Sequence, residues 1–169
     1  MNANSGDKSI VLDDIKTALI SEMMSYEFYS HSSISVNLIS CMHAFQDMTR
    51  EEEKHVKWLK KEYEKLGGTE KIEYDHTELG GIALPVLDID LVTALDVAIK
   101  EESSSLKMYN DFLEKHKDKY PETYSRAIEF CKNSNCTGKY EDVGHFSDMQ
   151  NVSSSMRELI RGISTLEGH

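Results

Sequence analysis

The sequence predicts an all-α fold, a four-helix bundle made of two antiparallel hairpins joined by a long crossover. Three observations point to it. Aromatic and aliphatic residues recur at three- and four-residue spacing, with only two prolines and few alternating runs. Four such stretches each carry one acidic residue in the middle of an apolar stripe. The four acids also fall in two symmetric pairs about the two predicted turns.

Punctuation sets the order of elements. Residues 1–7 read as a loose tail, and Asp7 or Ser9 is the candidate cap of a first helix reaching about Ser35. A break near residues 36–38 precedes a second helix, which Gly67 and Gly68 stop. A linker with Gly80, Gly81 and Pro85 follows. The third helix starts after Asp88 or Asp90 and runs to about Lys119; Pro121 suits the first position of the next helix. That last segment runs to about Gly162, with poor helix formers at 133–138. The bundle is expected over residues 8–163, with 164–169 a second tail.

The stripes place the acids. In the first helix Leu12, Ile15, Leu19, Glu22, Tyr26, Tyr29, Ser33 and Val36 share a face. The second reads Phe45, Met48, Glu52, Val56, Leu59, Tyr63, Leu66. The third reads Leu95, Ala98, Glu102, Leu106, Tyr109, Leu113, and the fourth has Asp142, Phe146, Met149, Ser153, Met156, Ile160 and Ile163. A lone buried carboxylate costs several kcal/mol unless it is compensated. Four aimed at one core call for cations between them, and a pair of metal ions is the natural candidate.

Spacing strengthens this. Glu22 and Glu52 are equidistant from residue 37, and Glu102 and Asp142 from residue 122, so each hairpin sets its two acids level. They lie about 20–30 Å from their turn, at about 1.5 Å per residue. The linker spans about 60 Å if extended, enough to return along a bundle. A weak repeat relates the halves: Ala18-Leu19-x-x-Glu22-x-x-Ser25-x-x-x-Tyr29 recurs as Ala98-Ile99-x-x-Glu102-x-x-Ser105-x-x-x-Tyr109. Glu52-x-x-His55 and Asp142-x-x-His145 each put a carboxylate and an imidazole on one helix face. Such a donor set suits iron or manganese, and zinc less exclusively.

These residues resemble the di-iron ligand set of the ferritin-like superfamily, nearest to rubrerythrin-type domains. The general pattern is one glutamate from each of two helices and a Glu-x-x-His pair from each of the others. The resemblance implies two iron ions, with Mn or Zn as substitutes. Glu22 and Glu102 would be terminal ligands, Glu52 and Asp142 bridging ones, and His55 and His145 would each complete one metal. It further implies that Tyr29 and Tyr109 hydrogen-bond a ligand or supply an electron. Three features depart from the pattern. Asp142 is one methylene shorter than the usual glutamate, leaving Glu141 as fallback. Ser105 replaces a further glutamate, and no pair of Cys-x-x-Cys motifs for a rubredoxin-type domain follows.

The implied activity is oxidation of Fe(II) by O2 or H2O2, of ferroxidase or peroxidase type, with an external electron donor and a homo-oligomer of two or more chains. Two alternatives stay open: an iron-storage cage subunit, or a non-catalytic bundle that has lost part of its metal site. Plainer readings also exist for single residues. Glu-x-x-His arises by chance on solvated helices, and buried tyrosines and methionines are ordinary core residues. His31 and His43 lie off the stripes, and His116 reads as a favourable cation at a helix end.

Composition excludes other classes. The formal charge of −11, from 30 acidic and 19 basic residues, argues against a nucleic-acid surface. Most of it is expected on solvated faces such as Lys60, Lys61, Glu62 and Glu64. No apolar run reaches the roughly 18–20 residues needed to span a bilayer. The start of the chain lacks an apolar signal core. Cys41, Cys131 and Cys136 form no disulfide framework, which suggests a reducing cytoplasm.

Overall fold

The computed structural model describes residues 5–73, 78–79, 82–83, 89–122, 125, 163 and 165, with side chains for 9–73, 89–122, 125, 163 and 165. Helices dominate: α1 (Ser5–Ser35), α2 (Ile39–Lys65) and α3 (Leu91–His116), with β1 (Glu78–Leu79) and β2 (Ile82–Ala83) between α2 and α3. The fourth predicted helix lies almost wholly outside the described residues. Ser9–Ser103 form one compact unit; Met1–Lys8 group with Ser104–His169 in another.

In the first unit, α1 buries Val11, Ile15, Leu19, Phe28 and Tyr29 at helical spacing, and Val36 is buried just past its end. The helix starts at Ser5, earlier than the predicted caps, so neither Asp7 nor Ser9 ends it. No proline interrupts this polar start, and extending a formed helix costs little beside nucleating one. Contacts run in opposite directions along α1 and α2. Glu22 meets His55, and further along α1 Phe28 and Tyr29 meet Phe45, at ring-centroid distances of 6.3 and 6.1 Å. The two helices are therefore an antiparallel hairpin with its turn at residues 36–38, where the sequence placed it.

Glycines at 67 and 68 stop α2. Gly67 takes φ 87°, the left-handed region that favours glycine. Its N–H bonds the carbonyl of Glu64 (3.0 Å) and that of Gly68 bonds Tyr63 (2.9 Å), the bond pair of a Schellman cap. A Cβ on Gly68 would sit 2.3 Å from the Tyr63 ring, so a side chain does not fit there. Lys16 on α1 then pairs with Glu70 at 2.6 Å.

The linker holds an antiparallel ribbon, with Glu78 opposite Ala83 and Leu79 opposite Ile82, which hydrophobic periodicity did not reveal. Two residues per strand are too few for alternation to register. Asp90, rather than Asp88, caps α3: its Oδ1 accepts the Thr93 N–H at 3.0 Å and its Oδ2 the Thr93 hydroxyl at 2.6 Å. Ile89, Ala94, Val97 and Ala98 complete a core cluster with Phe28, Tyr29, Val36 and Phe45.

Three burial expectations are corrected. Leu95 is 43 % exposed and Tyr26 37 %, because the buried stripes run through Ala94 and Val97 on α3 and through Ser25 and Phe28 on α1. Glu62 is buried, not solvated: it stands between Leu59 and Leu66 on the inner face of α2, one oxygen taking Lys65 Nζ at 2.6 Å. In the second unit His116 lies in the last turn of α3, the helix end where the sequence placed it, and is buried. Its ring lies 4.5 Å from that of Phe112 and 6.3 Å from that of Tyr120, aromatic neighbours one turn away on either side. Pro121 and Glu122 are helical, in keeping with proline at a first helical position. Among the described residues no helix is long and apolar enough to cross a membrane.

Candidate metal centre

Three of the predicted ligands converge. Glu22 points inward from α1 between Leu19 and Ser25, all three residues buried. Glu52 and His55 lie three residues apart on α2, the spacing that puts two side chains on one helix face. His55 Nδ1 is 3.2 Å from Glu22 Oε2 and 3.2 Å from Glu52 Oε2. One ligand atom from each of the three falls within 4.8 Å of the others. Glu22 is 3 % and Glu52 8 % exposed, while His55 is part-buried.

Glu102 stands beside this group, as its electrostatic influence from Glu52 and His55 indicates. It is held in another way: Tyr29 Oη donates a 2.6 Å hydrogen bond to Glu102 Oε1, tying α1 to α3. Tyr29 itself packs edge-on to Phe28 (5.4 Å) and stacks on Phe45.

The electrostatics are those of acids crowded out of water. Burial, then the hydrogen bond with Glu22, pushes Glu52 up to about 8, with His55 opposing. Burial would lower His55, but its bonds to Glu22 and Glu52 win and carry it up to about 10. Burial also raises Glu102, against the Tyr29 bond. Burial and the neighbouring Glu102 charge push Tyr29 far above the ordinary tyrosine range, so it stays a neutral donor. At neutral pH the centre therefore holds protons where a cation would otherwise balance the carboxylates.

Tyr109 is buried on the part of α3 that belongs to the second unit. Asp142, His145 and the fallback Glu141 lie outside the described residues, as do Cys131 and Cys136. Sequence reasoning passed over Glu101. It is half-buried, burial raises its carboxyl, and its charge acts on both Tyr29 and Glu102. Its signal was present: two successive acids on a helix whose next turns bury both neighbouring faces.

Two carboxylates and an imidazole nitrogen, delivered by two helices to one buried point, make a hard-to-intermediate donor set for a divalent cation. The rubrerythrin family model matches residues 13–89. The rubrerythrin match thus takes in α1 from Asp13, all of α2 and the linker to Ile89, and contains Glu22, Tyr29, Glu52 and His55. Glu102, Tyr109, Asp142 and His145 lie beyond it. Comparison with curated proteins and with solved structures gives no match.

Proposed function

We propose that this chain is a di-iron carboxylate protein on a ferritin-like four-helix bundle, which binds two Fe(II) and oxidises them with O2 or H2O2. The observation that supports it most is the convergence of Glu22, Glu52 and His55 on one buried point within the rubrerythrin-matching stretch. The donor chemistry fits iron: without a cation the group balances itself only by keeping Glu52 and His55 protonated. Glu22, Glu52 and His55 hold one ion. Glu102, with Asp142 and His145, would hold the other, as the family pattern implies.

Iron bound there supplies one-electron steps between Fe(II) and Fe(III), with an external donor returning the electrons. The protein's own residues do the rest. Glu52 and His55 release their protons to solvent as the ions enter. Tyr29 keeps its proton and fixes one oxygen of Glu102 in place. Phe28 and Phe45 close around Tyr29 and keep water from that side. Fewer solvent molecules then compete for open coordination positions.

The test is to load metal-free protein anaerobically with Fe(II), admit O2 or H2O2, and trap residual Fe(II) with a chelator at timed intervals. Loss of Fe(II) faster than in protein-free buffer is expected, and the faster of the two oxidants names the physiological class. A rate equal to that of free iron overturns the proposal.

A further inference from the structure

Sulfur gathers at one place in the first unit. The core cluster around Phe28, Tyr29 and Phe45 has five partly buried hydrophobic neighbours among the described residues, and four of them carry sulfur: Met24, Cys41, Met42 and Met48. With eight methionines and three cysteines in 169 residues, that is a concentration. Methionine is an ordinary filler of irregular gaps, and it packs well against aromatic rings. A thiol beside three thioethers is also a store of electrons on which an oxidant draws.

The aromatic cluster links these sulfurs to the metal centre. Met24 lies one turn from Phe28 on α1, and Cys41, Met42 and Met48 lie one turn from Phe45 on α2, at spacings that put side chains on one face. Phe28 and Phe45 both pack on Tyr29, with ring centroids 5.4 and 6.1 Å from its own. Tyr29 Oη in turn donates to Glu102 Oε1 at 2.6 Å. Packed side chains therefore run from the centre to sulfurs that are partly open to water.

Electron counting gives this store a use. Peroxide takes up two electrons, and one Fe(II) gives one. The group of Glu22, Glu52 and His55 offers its three ligand atoms to a single ion, so a chain holding only that ion is one electron short. With two Fe(II) bound, Tyr29 keeps its proton. With one, Tyr29 loses an electron toward peroxide and passes its proton to Glu102 Oε1, and sulfur then restores it. We infer that Met24, Met42, Met48 and Cys41 supply, through Tyr29, the electron that peroxide lacks when the centre holds one Fe(II). This inference rests on the iron reading proposed above. Over two turnovers, two Fe(II), one thioether, two H2O2 and two protons give two Fe(III), one sulfoxide and three waters. At Cys41 the product is the sulfenic acid, with the same balance; both products are open to reduction afterwards.

The test loads the metal-free full chain anaerobically with one or two Fe(II) per chain and adds one H2O2 per chain. Sulfoxide is mapped by peptide mass spectrometry, with a sulfenic-acid trap for Cys41. Met23 and Met108 are the controls, both part-buried like the three shell methionines but outside the shell. Met23 also adjoins Glu22, so an oxidant leaking from the centre meets it as readily as Met24. At one Fe(II) per chain the shell sulfurs are expected to be oxidised about fivefold more than the controls, and at two Fe(II) about threefold less than at one. A folded variant with Met24→Leu, Met42→Leu, Met48→Leu and Cys41→Ser, changes that nearly conserve volume, should raise the tyrosyl radical signal in electron paramagnetic resonance about fivefold. Tyr29→Phe in that background should abolish the signal. Fe(II) oxidation with sulfoxide spread evenly over shell and control methionines overturns the inference and leaves the iron reading standing. So does the same sulfoxide pattern in metal-free protein, or a radical signal no larger in the sulfur-free variant. Fe(II) that is not oxidised at all overturns the iron reading, and this inference with it.

Discussion

Tyr29 and Glu102 are 73 residues apart in sequence and joined by a 2.6 Å hydrogen bond. The bond holds α3 against α1 at the level of the carboxylate–histidine group. Both partners are largely removed from water, where a hydrogen bond is electrostatically stronger than in solvent. Removing the hydroxyl leaves a part-buried carboxylate short of a donor.

Tyr29→Phe is therefore expected to cost about 1–3 kcal/mol of stability at neutral pH. It should also raise the Glu102 carboxyl further, because the Tyr29 bond is what opposes burial there. Urea denaturation of the metal-free protein checks the first, and carboxyl titration by NMR checks the second.

Glu52→Gln separates a metal protein from an inert bundle. With Glu52 pushed up to about 8, the side chain is mostly neutral at pH 7 before metal enters, and glutamine imitates that state. The metal-free variant should keep its stability within about 1 kcal/mol and lose stoichiometric Fe(II) binding. Melting curves of both proteins, with and without Fe(II), read the two effects together.

The metal-free protein should lose stability as pH rises. Glu52 is raised from 4.5 to about 8 and His55 from 6.5 to about 10, so over these windows the folded state binds more protons than the unfolded one. Stability from Glu52 is complete below its unfolded value of 4.5 and gone above about 8; that from His55 is complete below 6.5 and gone above about 10. Melting temperature should thus fall as pH rises from 4.5 to about 10, most steeply between 6.5 and about 8 where both windows overlap, as thermal scans at constant ionic strength would show. Fe(II) affinity should move the other way, rising with pH as competing protons leave.

At the end of α2, Gly68→Ala should destabilise by about 1–3 kcal/mol, since the new Cβ meets the Tyr63 ring. Gly67→Ala, at φ 87°, should cost about 1 kcal/mol through backbone strain alone. Chemical denaturation distinguishes the two by size.

Much of this was legible in the sequence, for physical reasons that also mark the limits. The acids at 22 and 52 could be set level because a hairpin has one free parameter, its turn, and Gly67-Gly68 with the 36–38 break fixed both ends of α2. Glu102 could be placed near them, but not its attachment to Tyr29, because a hydrogen bond across 73 residues leaves no local spacing to read. Heptad spacing chose Leu95 and Tyr26 for the core, yet an unsupercoiled helix repeats every 3.6 residues and its buried face drifts off a seven-residue count. Glu62 was misread for the opposite reason: composition says a glutamate is solvated, and only its neighbours Leu59 and Leu66 say otherwise.

Glu22, Glu52 and His55 are expected to hold a metal ion rather than a shared proton. Anaerobic titration of metal-free wild type and of Glu52→Gln with Fe(II), counting bound iron per chain, tests it most directly. Two irons are expected in the wild type, with loss of that binding in the variant. Binding of less than one iron by the wild type, or equal loading of the two proteins, would contradict it.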